Sequence, residues 1–248
     1  MDISDFEVQT TIGHGGFGEV LMAISKKTQK VYAIKVMNKE KISREGKKLS
    51  IFREKSVMKF LYHENIARLE ASFTDKENIY LLLELVEGDD LGSIIEARKK
   101  LDIPFVKYVL KHLVSILEYM HGLGLYHADI KPQNIMLTRK HKIKLVDFGC
   151  AGYFEVNEKN KSLVQDIQNF KAKLKDEEID EFNGTRYYAS PELLESGLNH
   201  WEDDLWSLGV VLYEMLTGTL PFDAPTEHLT FQKIMKIDFN KNPEVTCT

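Results

Sequence analysis

The spacing of apolar residues changes once along this chain, and that change limits the folds it can adopt. Up to about residue 86, apolar and polar residues alternate in short runs separated by glycines and turns, which predicts antiparallel strands. Beyond the polar break at 87–90, apolar residues recur every three or four positions, which predicts helices. The sequence therefore predicts an α+β fold within one domain, residues 1–248, with a small sheet lobe at 1–86 and a larger, mainly helical lobe at 87–248.

Within this outline, short apolar runs and turn residues give approximate bounds. The predicted strands are 6–12, 20–24, 31–37, 67–73, 79–86, 134–137 and 143–145. The predicted helices are 43–61, 104–122, 201–217 and 227–236.

Composition excludes several classes of protein. The net charge of −5 gives no support to a general nucleic-acid binder. The two cysteines, Cys150 and Cys247, lack the spacing of a zinc site, and their number predicts a reduced, intracellular protein. The N-terminus has no apolar signal core, and no run of about 18 apolar residues occurs. We therefore expect a cytoplasmic or nuclear protein that is not secreted and has no membrane span.

A glycine-rich segment near the N-terminus is the first candidate for chemistry. Residues 13–20 read G-x-G-x-x-G-x-V, with Gly13, Gly15 and Gly18 as the three motif glycines. Glycines let the backbone of a hairpin approach phosphate groups, with N–H groups directed at the oxygens. A glycine hairpin without a ligand fits the segment equally well. A dinucleotide site is disfavoured, because Val20 begins another strand instead of a helix.

Two oppositely charged residues follow this segment. Lys35 lies on a predicted strand among apolar neighbours, and Glu54 lies on the predicted helix that comes next. A lysine held by such a glutamate can contact the α- and β-phosphates of a nucleotide. Taken alone, Lys35 would be interpreted as an ordinary surface lysine.

The polar segment at 126–134 carries the strongest signal. Asp129 can orient an attacking hydroxyl and accept its proton, and Lys131 supplies a cation near developing negative charge. Asn134 and Asp147 offer the hard oxygen ligands that Mg²⁺ prefers. Asp147 begins Asp-Phe-Gly, eighteen residues after Asp129. This pattern favours phosphoryl transfer over a purely structural use of the acids.

Together these motifs resemble the signature set of eukaryotic protein kinases of the serine/threonine type, from residue 6 to about 236. The spacing from Gly13 to Asp147 is similar to that of the cyclic-AMP-dependent kinase group, and Phe222 and 230–234 resemble the phosphoinositide-dependent kinases. The resemblance implies a two-lobed kinase fold that uses ATP and Mg²⁺ and acts on protein substrates. It also implies that Thr185 touches the catalytic aspartate and lysine.

The resemblance further assigns residues to the nucleotide. Asp90 would contact the ribose, and the backbone of Glu84 and Val86 would hydrogen-bond the purine. The apolar residues around the base would be Ile12, Val20, Ala33, Met136 and the gatekeeper Leu83.

The chain departs from the family pattern at two positions that bear on regulation. Ala128 replaces an arginine that usually grips a phosphate on the activation segment, and Glu181 occupies the usual phosphorylation position. Ser162 is the only hydroxyl-bearing residue from 154 to 184. We therefore expect activity without phosphorylation of this segment.

The segment 155–182 is an insert with two interpretations. Leu163, Ile167, Phe170 and Leu174 recur at helical spacing, which favours a helix that docks on its own chain or on a partner. The rich content of Lys and Glu favours a solvated loop instead.

The family that the chain resembles normally continues for about fifty residues beyond the position of Thr248, so we expect a shortened C-terminal lobe without its last helices. We also expect Glu192 to lack the buried arginine that is its usual partner in that family. From this we expect lower stability, or a protein partner that covers the C-terminal helices. Two rival functions stay open: a catalytically idle kinase-like scaffold that binds ATP or proteins, and a kinase that acts on small molecules.

Overall fold

The computed structural model describes residues 1–15, 17–174 and 186–239. The chain divides into two compact units. The first contains Met1–Glu87 together with the described part of 161–180, and the second contains Gly88–Asn160 together with the described part of 181–248. The fold is that of a sheet-rich unit and a helical unit, as the sequence predicts.

A five-stranded antiparallel sheet forms the first unit. Its strands are β1 (Phe6–Gly15), β2 (Gly18–Ser25), β3 (Val31–Asn38), β4 (Leu69–Thr74) and β5 (Asn78–Glu84), in the order β1-β2-β3-β5-β4. Successive side chains along a strand point to opposite faces. On one face, Ile34, Tyr80 and Leu82 pack with Phe6. On the other face, Met37 and Leu81 pack with Ile42 and Ile51 of the helices that cover it.

Two helices connect β3 to β4, where the sequence predicted a single helix over 43–61. Helix α1 spans Lys39–Arg44 and begins at Asn38, whose side chain accepts a hydrogen bond from Lys41 N–H. Helix α2 spans Lys48–Phe60. The chain breaks between them because Gly46 has a φ of 63°, a left-handed conformation that ends a helix. The prediction was wrong on this point: the apolar spacing showed no break.

Helix α5 (Lys161–Lys171) also belongs to the first unit, although it comes much later in the sequence. Its buried residues are Leu163, Val164 and Ile167, and it packs against α2. The prediction of a helix that docks on its own chain is therefore confirmed for the described part of the insert, and Leu174 lies beyond the helix end.

Five α-helices and two small sheets make up the described part of the second unit, with short 3₁₀ turns aside. The helices, numbered in chain order, are α3 (Leu91–Arg98), α4 (Ile103–His121), α6 (Pro191–Ser196), α7 (Glu202–Thr217) and α8 (Glu227–Lys236). The strands are β6 (Gly88–Asp90), β7 (Leu125–Tyr126), β8 (Ile135–Thr138), β9 (Ile143–Leu145) and β10 (Gly152–Tyr153). Strands β6, β8 and β9 form one sheet, and β7 pairs with β10.

Helices α4 and α7 form the core of this unit. The buried face of α4 includes Val109, Leu113 and Ile116, and α7 packs against it. Helix α7 ends at Gly218, which has a φ of 75° and leaves no room for a side chain, since a Cβ there would lie 1.7 Å from the Lys99 carbonyl oxygen. Within the described ranges, no helix is both long and apolar enough to cross a membrane.

Candidate active site

Lys35 and Glu54 form an ion pair inside the first unit. Strand alternation places Lys35 on the face of β3 that carries Met37, which is the face that α2 covers. The Lys35 Nζ donates a hydrogen bond to Glu54 Oε1 at 2.6 Å, and the Glu54 side chain is only 2% exposed. A charge that is buried this deeply is costly without its partner. The structure thus brings together two residues that the sequence placed 19 positions apart.

Three of the residues predicted to surround a purine, Val20, Ala33 and Leu83, lie on the same face as Lys35. In the strand register, Val20 is opposite Lys35, and Ala33 is opposite Leu83. Directly opposite residues of paired strands point to the same side of a sheet. Ile12 is 47% exposed. Val20, Ala33 and Leu83 thus form an apolar surface beside Lys35.

Glu84 and Val86, whose backbone is predicted to hydrogen-bond the purine, lie at and just beyond the end of β5. The N–H of Glu84 donates to the Arg68 carbonyl oxygen at 2.8 Å. Because this donor is already used, a contact from the Glu84 backbone to a purine would have to come through its carbonyl oxygen.

The glycine-rich segment forms the hairpin of β1 and β2, with Gly13 opposite Val20 and Gly15 opposite Gly18. Gly18 also has a packing role that the sequence did not reveal. A Cβ at Gly18 would lie 2.0 Å from the carbonyl oxygen of Val36 on β3. This glycine therefore allows β2 to approach β3, whatever its part in binding phosphate.

The second unit holds Asp129, Lys131 and Asn134 in one hydrogen-bonded loop. Lys131 Nζ donates to Asp129 Oδ2 at 2.7 Å. The Asn134 Nδ2 donates to the Asp129 carbonyl oxygen at 2.8 Å and to Asp129 Oδ2 at 3.0 Å. The structure thus joins a carboxylate, a cation and an amide in one cluster, which is the chemistry needed to orient a hydroxyl and balance negative charge.

A fully buried carboxylate on α7, Asp204, holds this loop from behind. Its two oxygens accept hydrogen bonds from the N–H groups of His127, at 2.9 Å, and Ala128, at 2.8 Å. The His121 Nε2 lies 2.9 Å from Asp204 Oδ2. Ala128 is held at a φ of 61°, a conformation that is costly for a residue other than glycine. The contribution of His121 to this anchor was not predicted.

His127 is buried and supports the loop as a neutral ring. Burial lowers the pKa of His127, which keeps the imidazole uncharged. Its Nδ1 accepts a hydrogen bond from the Asp129 N–H at 3.2 Å. Its ring meets that of Phe148 edge to face, with 4.9 Å between the ring centroids, and Phe148 is fully buried. This packing fixes the chain beside Asp147.

The two predicted metal ligands both belong to this unit. Asn134 is buried, and its NH₂ group is committed to Asp129, which directs the amide oxygen away from that carboxylate. Asp147 is exposed and has a φ of 58°. An amide oxygen and a carboxylate are the hard donors that suit Mg²⁺.

Two further predicted nucleotide contacts, Asp90 and Met136, lie opposite each other in the register of β6 and β8. Asp90 also caps α3, because its Oδ1 accepts a hydrogen bond from Ser93 N–H at 2.9 Å. The cap on α3 is a structural role, and it is sufficient to explain an aspartate at position 90 without a contact to a ribose. Thr185 lies outside the described residues, so its predicted contact stays a prediction.

A tyrosine–glutamate pair near the C-terminal end of α7 was not predicted. The Tyr188 hydroxyl donates to Glu214 Oε2 at 2.7 Å. Burial raises the pKa of Glu214, although the hydrogen bond from Tyr188 opposes that shift. Burial, with the nearby Glu214 carboxylate, also raises the pKa of Tyr188. The two residues are 26 positions apart, and no sequence pattern pairs them.

Ser190 has a structural role that was also not predicted. Its hydroxyl donates to Asp203 of α7, and its Oγ caps α6 by accepting from Leu193 N–H at 2.9 Å. Glu192, which follows, is exposed to solvent.

The protein kinase domain family matches residues 6–246. The chain therefore belongs to the protein kinase family.

Its relatives include serine/threonine kinases from yeast, plants and animals. The serine/threonine-protein kinase PKH2 of Saccharomyces cerevisiae is 36% identical over 97% of this chain and 22% of its own length. The 3-phosphoinositide-dependent protein kinase 1 of Arabidopsis thaliana is 36% identical over 94% of this chain and 46% of its own length. Its human namesake is 34% identical over 95% of this chain and 40% of its own length. The chain thus spans less than half the length of these relatives.

Proposed function

We propose that this chain transfers the γ-phosphoryl group of ATP to a serine or threonine hydroxyl of a protein substrate. The cluster of Asp129, Lys131 and Asn134 carries this proposal, because it combines a proton acceptor, a cation and a metal-ligand candidate in one loop. Kinase names among relatives of 34–36% identity support it.

In the proposed reaction, Asp129 orients the substrate hydroxyl and accepts its proton. The hydroxyl oxygen forms a bond to the γ-phosphorus as the bond from that phosphorus to the β,γ-bridging oxygen breaks, and ADP leaves. Lys131, which is 2.7 Å from Asp129, supplies positive charge where the transferred group becomes more negative.

Asn134 and Asp147 are the proposed ligands of Mg²⁺. The orientation of the Asn134 amide fits this role, since its nitrogen is used by Asp129 and its oxygen is not. When bound, Mg²⁺ would neutralise charge on the phosphate oxygens of ATP.

The proposed nucleotide contacts of the first unit follow from the face that carries Lys35. Lys35, oriented by Glu54, would contact the α- and β-phosphates, and the backbone of Gly13, Gly15 and Gly18 would approach the phosphate oxygens. The apolar contacts proposed for the adenine in this unit are Ile12, Val20, Ala33 and Leu83, with the backbone of Glu84 and Val86 at the purine edge.

In the second unit, Met136 is the proposed apolar contact to adenine and Asp90 the proposed contact to the ribose. Thr185 is proposed to touch Asp129 and Lys131. A location in the cytoplasm or nucleus stays a prediction of the sequence.

We also propose that activity does not require phosphorylation of the segment that follows Asp147. Ala128 has no guanidinium with which to grip a phosphate, and its backbone N–H is held by Asp204 instead. The loop that contains Asp129 is thus fixed by a carboxylate of its own unit.

The test is transfer of label from γ-labelled ATP with Mg²⁺ to a mixed serine, threonine and tyrosine peptide library. We expect label on serine and threonine only. We expect Asp129→Asn, which keeps the size of the side chain but removes the proton acceptor, to lose at least about a hundredfold in rate. Label on tyrosine, or equal transfer by the variant, would contradict the proposal.

The scaffold hypothesis predicts a different outcome of the same experiment. A folded, monodisperse chain that binds ATP in a titration but transfers no label to any peptide would favour it. A chain that phosphorylates a small hydroxyl compound and no peptide would favour the small-molecule kinase instead.

A further inference from the structure

Helix α2 carries Glu54, and its N-terminus lacks the side-chain cap and the acidic residues that commonly stabilise the start of a helix. Its N-cap residue, Lys47, makes no side-chain hydrogen bond to the helix, and no acidic residue lies in its first turn. Basic residues such as Lys48 at a helix N-terminus interact unfavourably with the helix dipole. The chain immediately before it turns at Gly46. Packing against neighbouring elements therefore contributes to the position of α2, and of Glu54 with it.

Helix α5 supplies much of that packing. Phe170 of α5 stacks on Phe52 of α2, with 4.0 Å between the ring centroids and an angle of 1° between the planes. The buried residues Leu163, Val164 and Ile167 lie on α5, and this helix packs against α2. Phe52 is two positions before Glu54, so the stacked pair lies within one turn of the ion-paired carboxylate.

We propose that α5 is a positioning element for the phosphoryl-transfer site, and that Phe170 is the positioning residue. Through Phe52 it holds α2 so that Glu54 stays 2.6 Å from Lys35. This inference rests on the proposed kinase activity and deepens it. In this proposal an apolar contact made by α5 controls the position of Glu54. Glu54 in turn orients Lys35, the proposed contact to the nucleotide phosphates.

The composition of α5 agrees with an apolar role. Gln165, Gln168 and Asn169 lie on its exposed side, and Gln165 Nε2 donates to Asn169 Oδ1 at 3.0 Å along that side. The side toward α2 carries the aliphatic residues and Phe170. Substitutions on the two sides of one helix can therefore separate contact with α2 from the stability of α5 itself.

The test compares Phe170→Ala with Gln168→Ala, its control on the exposed side of α5. The first readout is amide hydrogen exchange of the nucleotide-free protein, which needs no catalytic activity. We expect Phe170→Ala to speed exchange at Ile51–Met58 of α2 by about tenfold and to leave Val109–Met120 of α4 unchanged. Gln168→Ala should match the wild type at both helices. Unchanged exchange in α2 would overturn the proposal.

The second readout is kcat/KM for ATP. We expect Phe170→Ala to lower it by about tenfold, largely through a higher KM, and Phe170→Tyr, which keeps the ring, to restore it to within about twofold of the wild type. A merely structural role would lower the fraction of active protein, and hence kcat, without changing KM. Equal losses for the alanine and tyrosine variants, or higher activity of Phe170→Ala, would contradict a positioning role.

A double variant tests whether Phe170 acts through Glu54. If it does, Glu54→Gln combined with Phe170→Ala should be no slower than Glu54→Gln alone, because the shared interaction can be lost only once. Multiplied losses would show independent roles. If Phe170→Ala does not fold, Phe170→Leu replaces it with the same criteria. If the wild type transfers no phosphoryl group, the proposed function fails, while the exchange readout still decides whether α5 holds α2.

Discussion

The loop that contains Asp129 is held by hydrogen bonds to one buried carboxylate, whereas the Lys35–Glu54 pair is held by the packing of one helix on another. Asp204 accepts three hydrogen bonds and is 0% exposed, so the loop has a polar anchor inside its own unit. Glu54 is equally buried, but its helix rests on the aromatic stack of Phe52 and Phe170. Removing such a polar anchor leaves buried N–H groups without acceptors, at a cost of about 1–3 kcal/mol for each group. An apolar contact, in contrast, tolerates substitutions that conserve volume at a cost of less than about 1.5 kcal/mol.

The largest effect should come from removing the anchor of the loop. Asp204→Ala leaves the N–H groups of His127 and Ala128 buried without acceptors, and each such group costs about 1–3 kcal/mol. We expect a loss of about 3–5 kcal/mol in the free energy of unfolding, measured with urea, and a large fall in phosphoryl transfer. Glu202→Ala, on the exposed first turn of the same helix, is the control and should change stability by less than about 1 kcal/mol.

A smaller effect is expected in the sheet of the first unit. Gly18→Ala would place a Cβ 2.0 Å from the Val36 carbonyl oxygen, so β2 must move away from β3. We expect a loss of about 1–3 kcal/mol in the free energy of unfolding. Gly13→Ala is the matched control, because its nearest neighbour would be a side-chain atom of Val20 at 3.7 Å. Equal stability of the two variants would contradict this account of the hairpin.

The pair formed by Tyr188 and Glu214 gives a pH-dependent effect. Because the pKa of Glu214 is raised in the folded state, the folded chain holds this proton more tightly than the unfolded chain does. Stability from this group is therefore lost as the pH rises from about 4.5 through the folded pKa. We expect Glu214→Gln to gain stability relative to the wild type across that window, by at most about 1.4 kcal/mol for each pH unit.

The measurement for this prediction is the difference in urea unfolding free energy of the two proteins from pH 4 to pH 8. Taking the difference removes the contribution of other carboxylates. A difference that does not change with pH would show that burial does not raise the pKa of Glu214.

The smallest effect is expected at the only hydroxyl-bearing residue between 154 and 184. Ser162 is exposed at the start of α5, away from the buried residues that meet α2. We expect Ser162→Ala to change kcat/KM by less than about twofold, as is usual for exposed substitutions. A loss above tenfold would indicate that phosphorylation or capping at Ser162 supports α5.

Elements with a clear local signal were predicted closely. Helix α8 has the predicted bounds, since Thr226 caps it and its apolar residues repeat regularly, and β9 also matches. The helix predicted over 43–61 was wrong, because the conformation of Gly46 does not appear in the apolar spacing. The two-residue strands β7 and β10 are too short to leave a pattern at all.

The residues of the candidate site also differ in whether a local sequence signal predicts them. Asp129, Lys131, Asn134 and Asp147 stand in one short stretch of sequence, so their motif was visible before the fold was known. The contact of His121 with Asp204 spans 83 positions, and that of Phe52 with Phe170 spans 118. Such contacts depend on how whole helices pack, which no local pattern encodes.

The most direct test of the account is turnover by protein that has been treated with phosphatase and shown by mass spectrometry to carry no phosphate. Asp204 accepts hydrogen bonds from the backbone of the loop that contains Asp129, and the stack of Phe52 on Phe170 joins α2 to α5. We therefore expect kcat for peptide phosphorylation to fall by less than about threefold on dephosphorylation, with Asp129→Asn as the inactive reference. A folded, phosphate-free chain as inactive as Asp129→Asn, with activity regained when phosphate is restored, would contradict it.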